Sequence, residues 1–278
     1  MKKLAIIGKG MLGSELADLA KAANWEISSY DLPEFDLTNE QQVKELVNSS
    51  DYIVNCAAYT NVDKAESEKD ICEAVNATAL KTLGKFAAVA NKYVVHISTD
   101  FVFGDLTDEP QNENSSTNPL SVYGATKLAG EQNLLSSACK CGIIRVQWSY
   151  GAKGNNFITK ILELAQKLPE LKVVEDQTGA PTWTQDMARA IMDFLNNQTQ
   201  GIYHFAANGY TTRFDVAKAI VEHFKLDTKL TACKSSEFPA PAARPHNSKF
   251  NCSKIDKVLS FQRPAWQDSL KKFFSEMV

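Results

Sequence analysis

Long apolar runs, paired cysteines, basic clusters and internal repeats are all missing from this chain, and each absence removes a class of protein. Six cysteines (Cys56, Cys72, Cys139, Cys141, Cys233 and Cys252) are scattered without C-x-x-C spacing, which argues against a zinc site or a disulfide scaffold. They are expected as reduced, packed thiols in a cytoplasmic protein. No apolar stretch approaches the length that crosses a bilayer. Met1-Lys2-Lys3 and the apolar residues 4–7 begin like a secretion signal, but Gly8-Lys9-Gly10 breaks the run too early. A net charge of -3 and the lack of any basic run speak against nucleic acid or a membrane surface as partner.

With 278 residues, 44% of them hydrophobic, the chain can bury a full core and fits one large or two unequal domains. Lys3 to Ile7 reads as a short apolar strand, running at once into Gly8-Lys9-Gly10-Met11-Leu12-Gly13 and a helical pattern from Ser14 to Ala23. In that setting the glycines serve a tight turn, close approach of backbone to a pyrophosphate and close helix packing, while the helix N-terminus attracts phosphate charge. Gly8, Gly10, Met11 and Leu12 are therefore candidate dinucleotide contacts. Trp25 to Tyr30 supplies a second strand ending in Asp31, near the spacing at which a carboxylate accepts from a ribose 2'-hydroxyl; the bland alternative is a turn or cap residue. A third strand, Asp51 to Cys56, enters Ala57-Ala58-Tyr59-Thr60, small residues that let a loop lie against a cofactor or simply pack well. Residues 64–91 are helical in pattern, with room for one break, and Val94 to Ile97 is a fourth strand, in which His96 has apolar neighbours and reads as core. Such alternation predicts an α/β, Rossmann-type doubly wound parallel sheet with right-handed crossovers.

Ser98-Thr99-Asp100-Phe101 closes the fourth strand at the end where open α/β sheets bind ligands. After a polar loop comes Tyr123-Gly124-Ala125-Thr126-Lys127 at the head of a helix, so Tyr123 and Lys127 share one helix face. A phenol with an ordinary pKa of about 10 holds its proton too tightly for easy exchange. A nearby ammonium lowers that pKa and makes the Tyr a usable acid or base, with Thr99 or Ser98 holding the substrate oxygen. One Tyr-x-x-x-Lys pair turns up by chance in roughly half of chains this long. Its weight comes from following a strand-end Ser-Thr-Asp and a nucleotide loop.

Beyond that helix, residues 142–146 form another strand, ending in Gln147-Trp148-Ser149-Tyr150, where aromatic residues favour a pocket lining over core. The alternation then weakens. Helices are expected over 155–168, 184–196, 212–223 and 266–277, strands over 172–175 and 201–205, and a Pro-rich piece over 238–245. His204 reads as structural. The division expected is a dinucleotide-binding domain over 1–150 plus 171–206, with a smaller, interleaved substrate-binding region over 151–170 and 207–278.

Taken together, Asn55-Cys56-Ala57-Ala58-Tyr59-Thr60, Val62-Asp63-Lys64-Ala65-Glu66, Ser98-Thr99-Asp100-Phe101-Val102-Phe103, Tyr123-Gly124-Ala125-Thr126-Lys127, Asp176-Gln177 and Arg244-Pro245 resemble the extended short-chain dehydrogenase/reductases over nearly the whole chain. The resemblance implies a Thr99, Tyr123, Lys127 triad that reduces the 4-keto group of a dTDP-6-deoxyhexulose to the rhamnose form with NADPH or NADH. Tyr123 would donate the proton, Lys127 would hold the nicotinamide ribose and bias the phenol, and Thr99 would bind the carbonyl oxygen. Asp31, Ala57, Ala58 and Tyr59 would join the glycine turn around the coenzyme. Val62, Asp100, Phe101, Trp148, Gln177 and Arg244 would border the nucleotide sugar.

Three departures stand out against that family. The first two glycines are one residue closer than usual, Phe101 stands where Tyr is usual, and Gln147 where Ser is common. Glu15 and Glu276 match two acidic positions that bridge a dimer through magnesium in some relatives, but Gln185 stands near the third, so no metal is assigned and a homodimer stays open. Two other readings also stay open: a reductase of another nucleotide 4-keto sugar, and a non-catalytic, nucleotide-binding regulatory subunit of a methionine adenosyltransferase.

Overall fold

The computed structural model of the protein describes residues 1–277. Its chain runs β1 (Lys3–Ile7), α1 (Met11–Ala22), β2 (Glu26–Tyr30), α2 (Glu40–Ser49), β3 (Tyr52–Asn55), α3 (Val62–Ala65), α4 (Lys69–Glu73), α5 (Ala79–Val89), β4 (Tyr93–Thr99), α6 (Val122–Ser136), β5 (Lys140–Val146) and β6 (Ser149–Tyr150). It continues through α7 (Phe157–Lys167), β7 (Glu170–Val174), β8 (Thr178–Gly179), β9 (Thr182–Trp183), α8 (Thr184–Asn197), β10 (Gly201–Phe205), β11 (Thr211–Thr212), α9 (Arg213–Phe224), β12 (Lys229–Cys233) and α10 (Trp266–Glu276).

Strand residues sort by parity. In β1, Leu4 and Ile6 join a core with Leu16 and Ala20 of α1 and the apolar side of α8, while Ala5 and Ile7 join the opposite core with Val43 and Leu46 of α2, Leu80 and Leu83 of α5 and Leu134 of α6. Both faces of the sheet are thus covered, which is what an all-parallel sheet requires. The strand order is β10-β5-β4-β3-β1-β2, every pair parallel, so the fold class is the doubly wound one expected. The order reverses between β1 and β3. Loops leaving their C-terminal ends part there and open a crevice.

A third core, built from Tyr150, Ile158, Ile161, Trp183, Val216, Ile220, Trp266, Leu270, Phe273 and Phe274, holds α7, α9 and α10 together over those strand ends. The strand β7 goes with this region. It pairs in parallel with β12, in a two-stranded sheet separate from the main one, whereas the sequence reading put residues 171–206 wholly with the nucleotide layer. The physical reason is that β7 is one-faced: Leu171 and Val173 are buried while Glu170 and Lys172 are exposed. An interior strand of a parallel sheet is apolar on both faces. The helical stretch 64–91 is interrupted over residues 66–68, between α3 and α4, the one break its pattern allows; a π turn over Ala74–Thr78 then joins α4 to α5 without a gap.

Candidate active site

The crevice begins at the glycine turn. Gly8 has φ +95°, and a Cβ on it would stand 2.8 Å from the backbone nitrogen of Ala57, so the loop after β3 can lie on this turn only because no side chain intervenes. Gly10 caps α1 without a side-chain hydrogen bond, and no acidic residue occupies the first turn. The first amides of that helix are therefore open to an anion. A cavity of about 280 Å³ beside the turn is lined by Gly8, Gly10, Asp31, Leu32, Phe35, Asp36, Leu37, Ala57 and Ala58 among others, with largely apolar walls and two aspartates, Asp31 directly after β2 and Asp36 further on. Small backbone-rich loops, open amides and that lining fit a dinucleotide.

Asp31 is more constrained than its spacing implied. Its Oδ2 accepts from the Lys9 backbone at 2.6 Å and its Oδ1 from that of Leu32 at 2.9 Å, so the carboxylate also ties the glycine turn to β2. Tyr59 departs from its expected place: it lines neither this cavity nor the next. Its hydroxyl donates to Glu68, and its backbone is clamped by Asn76, whose Oδ1 accepts from the Tyr59 N–H at 2.8 Å and whose Nδ2 donates to the Tyr59 carbonyl at 3.2 Å. Asn76, carried on the π turn, thus fixes the Tyr59 backbone while Glu68 holds its ring.

A second, larger cavity of about 570 Å³ adjoins the first and gathers Gly10, Met11, Leu12, Ala58, Val62, Ser98, Thr99, Asp100, Phe101, Tyr123, Lys127, Trp148 and Arg244, nearly every remaining candidate. Gln177 lines a neighbouring pocket that shares Arg244. The head of α6 reaches the end of β4 because Gly124 has no side chain; a Cβ there would stand 2.2 Å from the Phe101 carbonyl oxygen. Ser121 caps this helix, accepting from the Gly124 N–H at 3.2 Å. Burial pushes the Tyr123 phenol up to about 12, and the Thr99 hydroxyl beside it pulls the other way. Phe101 meets the Tyr123 ring edge-on at 5.4 Å. Thr99 donates to Asp100 at 3.0 Å and accepts from the Phe101 N–H at 3.2 Å. Asp100 in turn accepts from Ser248 at 2.5 Å, joining the strand end to the C-terminal region, and burial raises its carboxyl.

Lys127 is fully buried, and its Nζ donates to the Ile97 carbonyl at 2.6 Å and lies 3.1 Å from His96 Nε2. His96 is therefore the core residue expected, yet it touches the triad. Arg244 lines the cavity with its guanidinium on Asp63 at 2.9 Å, which holds that carboxyl low. Arg213 had no place in the sequence reading. It opens α9, lies 3.8 Å over the Trp148 ring and 4.8 Å from that of Phe157, and lines both the larger cavity and the pocket that holds Gln177. Among the described residues no carboxylate or carbonyl forms a hydrogen bond or ion pair with it. Burial lowers it to about 10, with Asp100 opposing and Arg244 adding to the shift. A signal was available, since a cation in a helix's first turn opposes the dipole. Trp148 itself has φ +44°, in the left-handed region; the other non-glycine residues there sit at helix ends, so this one is strain held at the cavity.

Glu15 and Glu276 are near neighbours, and burial followed by the charge of Glu276 raises the Glu15 carboxyl. Among the described residues no three metal-binding side chains converge. All six cysteines are free thiols.

A doubly wound sheet, a glycine turn at its switch point and a Thr, Tyr and Lys converging on the adjoining cavity define an NAD(P)H-dependent sugar-nucleotide reductase of the extended short-chain dehydrogenase/reductase type. Residues 1–278 match the model of the RmlD substrate binding domain. The dTDP-4-dehydrorhamnose reductase of Escherichia coli K12 is 39% identical over 292 residues, covering 99% of this chain and 97% of its own. A crystal structure of a dTDP-4-dehydrorhamnose reductase from Clostridium acetobutylicum superposes with TM-score 0.95 at 35% identity, covering 99% of both chains. That from Bacillus anthracis, in complex with NADP, gives 0.95 at 33% identity, covering 99% of this chain and 100% of the other. The chain belongs to the dTDP-4-dehydrorhamnose reductase family.

Proposed function

We propose that the protein reduces dTDP-4-dehydro-L-rhamnose to dTDP-L-rhamnose with NADH or NADPH, providing an activated deoxysugar for polysaccharide synthesis. The coenzyme supplies the hydride. Tyr123 gives the proton to the C4 oxygen, Thr99 holds that oxygen, and Lys127 lies under the nicotinamide ribose. Val62, Asp100, Phe101, Trp148 and Gln177 border the nucleotide sugar, and Arg244 takes its phosphate oxygens through charge-assisted hydrogen bonds. In this reading the six-stranded layer carries the coenzyme, and residues 151–174 with 207–278 carry the sugar. The protein works in the cytoplasm, where both substrates are made, as a homodimer; no helix among the described residues is long and apolar enough to cross a membrane.

The observation that carries this reading is the Thr99 hydroxyl beside the Tyr123 phenol, inside the cavity that continues from the glycine turn. The reductase named for its relatives supports the choice of sugar. The test is oxidation of NADPH and NADH by the purified protein with dTDP-4-dehydro-L-rhamnose and a panel of other nucleotide 4-keto sugars, with the configuration at C4 read by NMR. No coenzyme oxidation with any of them, together with stable association with a methionine adenosyltransferase, would replace this reading by the regulatory one.

A further inference from the structure

Residues 244–248 form a seam between the loop after β4 and the loop after β7. Arg244 lines the larger cavity at one end of the seam, and Ser248 donates to Asp100 at 2.5 Å at the other. On the β4 side, the Asn247 NH₂ donates to the carbonyls of Thr107 at 2.7 Å and Glu109 at 2.8 Å. On the β7 side, next to Gln177, the Thr178 N–H donates to the His246 carbonyl at 2.7 Å and the Thr178 carbonyl accepts from the Ser248 N–H at 2.8 Å.

His246, in the middle, meets a carboxylate from each side. Asp105, in the β4 loop, accepts from the His246 backbone N–H at 2.7 Å through Oδ1 and lies 2.7 Å from the ring Nδ1 through Oδ2. Asp176, directly after β7, has Oδ2 4.0 Å from the ring Nε2. It is anchored in turn: Ser235 donates to it from its backbone at 2.9 Å and from its hydroxyl at 2.6 Å, and Gln177 Nε2 donates to that hydroxyl at 3.1 Å. Asp176, Ser235 and Gln177 are therefore one hydrogen-bonded unit, and Arg244 and Gln177 line the same pocket.

These contacts decide which proton titrates. A carboxylate oxygen only accepts, so Nδ1 keeps its hydrogen toward Asp105 whether the ring is charged or neutral. The proton that leaves is the one on Nε2, on the side of Asp176. With it in place an imidazolium attracts both carboxylates; without it a nitrogen lone pair faces the Asp176 oxygen, and the seam loses one of its two charged links.

We infer that His246, as the imidazolium, is a positioning residue that draws Asp105 and Asp176 toward one another and so sets Arg244 and Gln177 for the nucleotide sugar, whose affinity falls with rising pH while that of the coenzyme does not. The bridge stands on geometry, and the choice of ligand rests on the reductase reading above. The charges that act on the ring are those of Asp105 and Asp176. The hydrogen bond to Asp105, followed by both negative charges, raises the ring above its ordinary value, partial burial opposing. Burial works against the Asp176 carboxylate, but the Ser235 donors and the ring hold it below its ordinary value, so it stays charged throughout. A raised cationic group contributes fully below about 6.5 and is lost as the pH climbs through the raised value. The pocket beside Gln177 supplies Lys160, Lys172, Arg213 and Arg244 as its charged lining, and the glycine-turn cavity contains no residue of the seam.

The experiment is calorimetry of the full chain with dTDP-L-rhamnose and with NADH between pH 5.5 and 8.5, alongside NMR titration of the His246 ring. Both ligands are diphosphate diesters of constant charge over that range, so any slope belongs to the protein. The Kd of dTDP-L-rhamnose should rise by about two- to five-fold through the His246 midpoint, the worth of a half-exposed ion pair, while the Kd of NADH stays level. His246→Gln, which can still donate to Asp105, should bind at the weaker, alkaline level at every pH. Asp176→Asn should lower the His246 midpoint and flatten the slope, and it tests the bridge independently should the glutamine variant not fold. A His246 midpoint at or below about 6.5, a level dTDP-L-rhamnose Kd across that midpoint, an equal slope with NADH, or a slope that survives in His246→Gln would each overturn the proposal. A raised midpoint that Asp176→Asn lowers, in a protein that binds no dTDP-L-rhamnose at any pH, would instead sink the sugar reading and the positioning role with it, and leave the bridge standing.

Discussion

Replacing Tyr123 by Phe removes one oxygen from the site and very little else, which makes it the sharpest probe of the proposed proton transfer. Loss of a positioned general acid slows a reaction by roughly 100- to 10,000-fold. At 1.36 kcal/mol per factor of ten this raises the barrier by about 3 to 5 kcal/mol. Stability should barely change. The edge-on contact of the ring with Phe101 at 5.4 Å persists, and Thr99 keeps its bonds to Asp100 at 3.0 Å and from Phe101 N–H at 3.2 Å, so no buried group is orphaned. Thr99→Val breaks both of those bonds and should lower stability by about 1 to 3 kcal/mol, which makes it a control for structural damage. The assay is single-turnover coenzyme oxidation with saturating sugar nucleotide, alongside thermal melting by circular dichroism. A folded Tyr123→Phe protein that turns over at the wild-type rate would move the proton donor elsewhere and refute the triad.

Other perturbations probe the surroundings. Arg213→Gln removes a cation that has no hydrogen-bonded partner among the described residues, so folding should survive while affinity for dTDP falls by about 10- to 150-fold, the equivalent of the 1.5 to 3 kcal/mol of a hydrogen bond to a charged group; calorimetry with dTDP and with coenzyme separates a phosphate contact from general damage. Wild-type protein should accept NADH, because Asp31 at the cavity wall repels a 2'-phosphate, and Asp31→Ala should raise the NADPH-to-NADH ratio of kcat/KM; an unchanged ratio rejects that role. Glu131→Gln leaves the Arg145 guanidinium, 2% exposed, without its counter-charge, and should cost about 3 to 5 kcal/mol in urea unfolding; a change under about 1 kcal/mol would mean that His204, 3.4 Å away, and Phe103 suffice to hold it.

Layers that repeat a local pattern could be read from the chain because each of their residues reports its own environment. Leu4 to Ile7 is apolar on both faces, so a central parallel strand follows. Gly8 precedes a helix, so a tight turn follows, and Gly8 takes it with φ +95°. Where packing is decided by a distant partner, local pattern misleads. The strand β7 looks like one more member of the sheet until Leu171 and Val173 are seen to face α7 and α9, and β12, with a half-exposed pattern of its own, exists only because β7 is there to pair with it.

The same distinction separates the site residues that could be foreseen from those that could not. Thr99, Tyr123 and Lys127 lie at a strand end and one helix turn apart, geometry that sequence spacing encodes directly. His96 carries no such mark: its strand neighbours are apolar, and only the parallel register that sets Asn55 opposite it, with α6 laid across that face, turns a core histidine into a partner of Lys127. Tyr59 errs in the other direction, since its loop does reach the cavity beside the glycine turn through Ala57 and Ala58 but its hydroxyl is bonded to Glu68, away from that cavity. Arg213 is the instructive case. It lies 114 residues from Thr99 in number and is brought over Trp148 by the third core, and a cation at the positive end of a helix with no ion-paired partner among the described residues favours a negative charge from outside the chain. If the diphosphate of a nucleotide sugar supplies that charge, removing the residue least visible in the sequence should weaken the nucleotide sugar while leaving the coenzyme held.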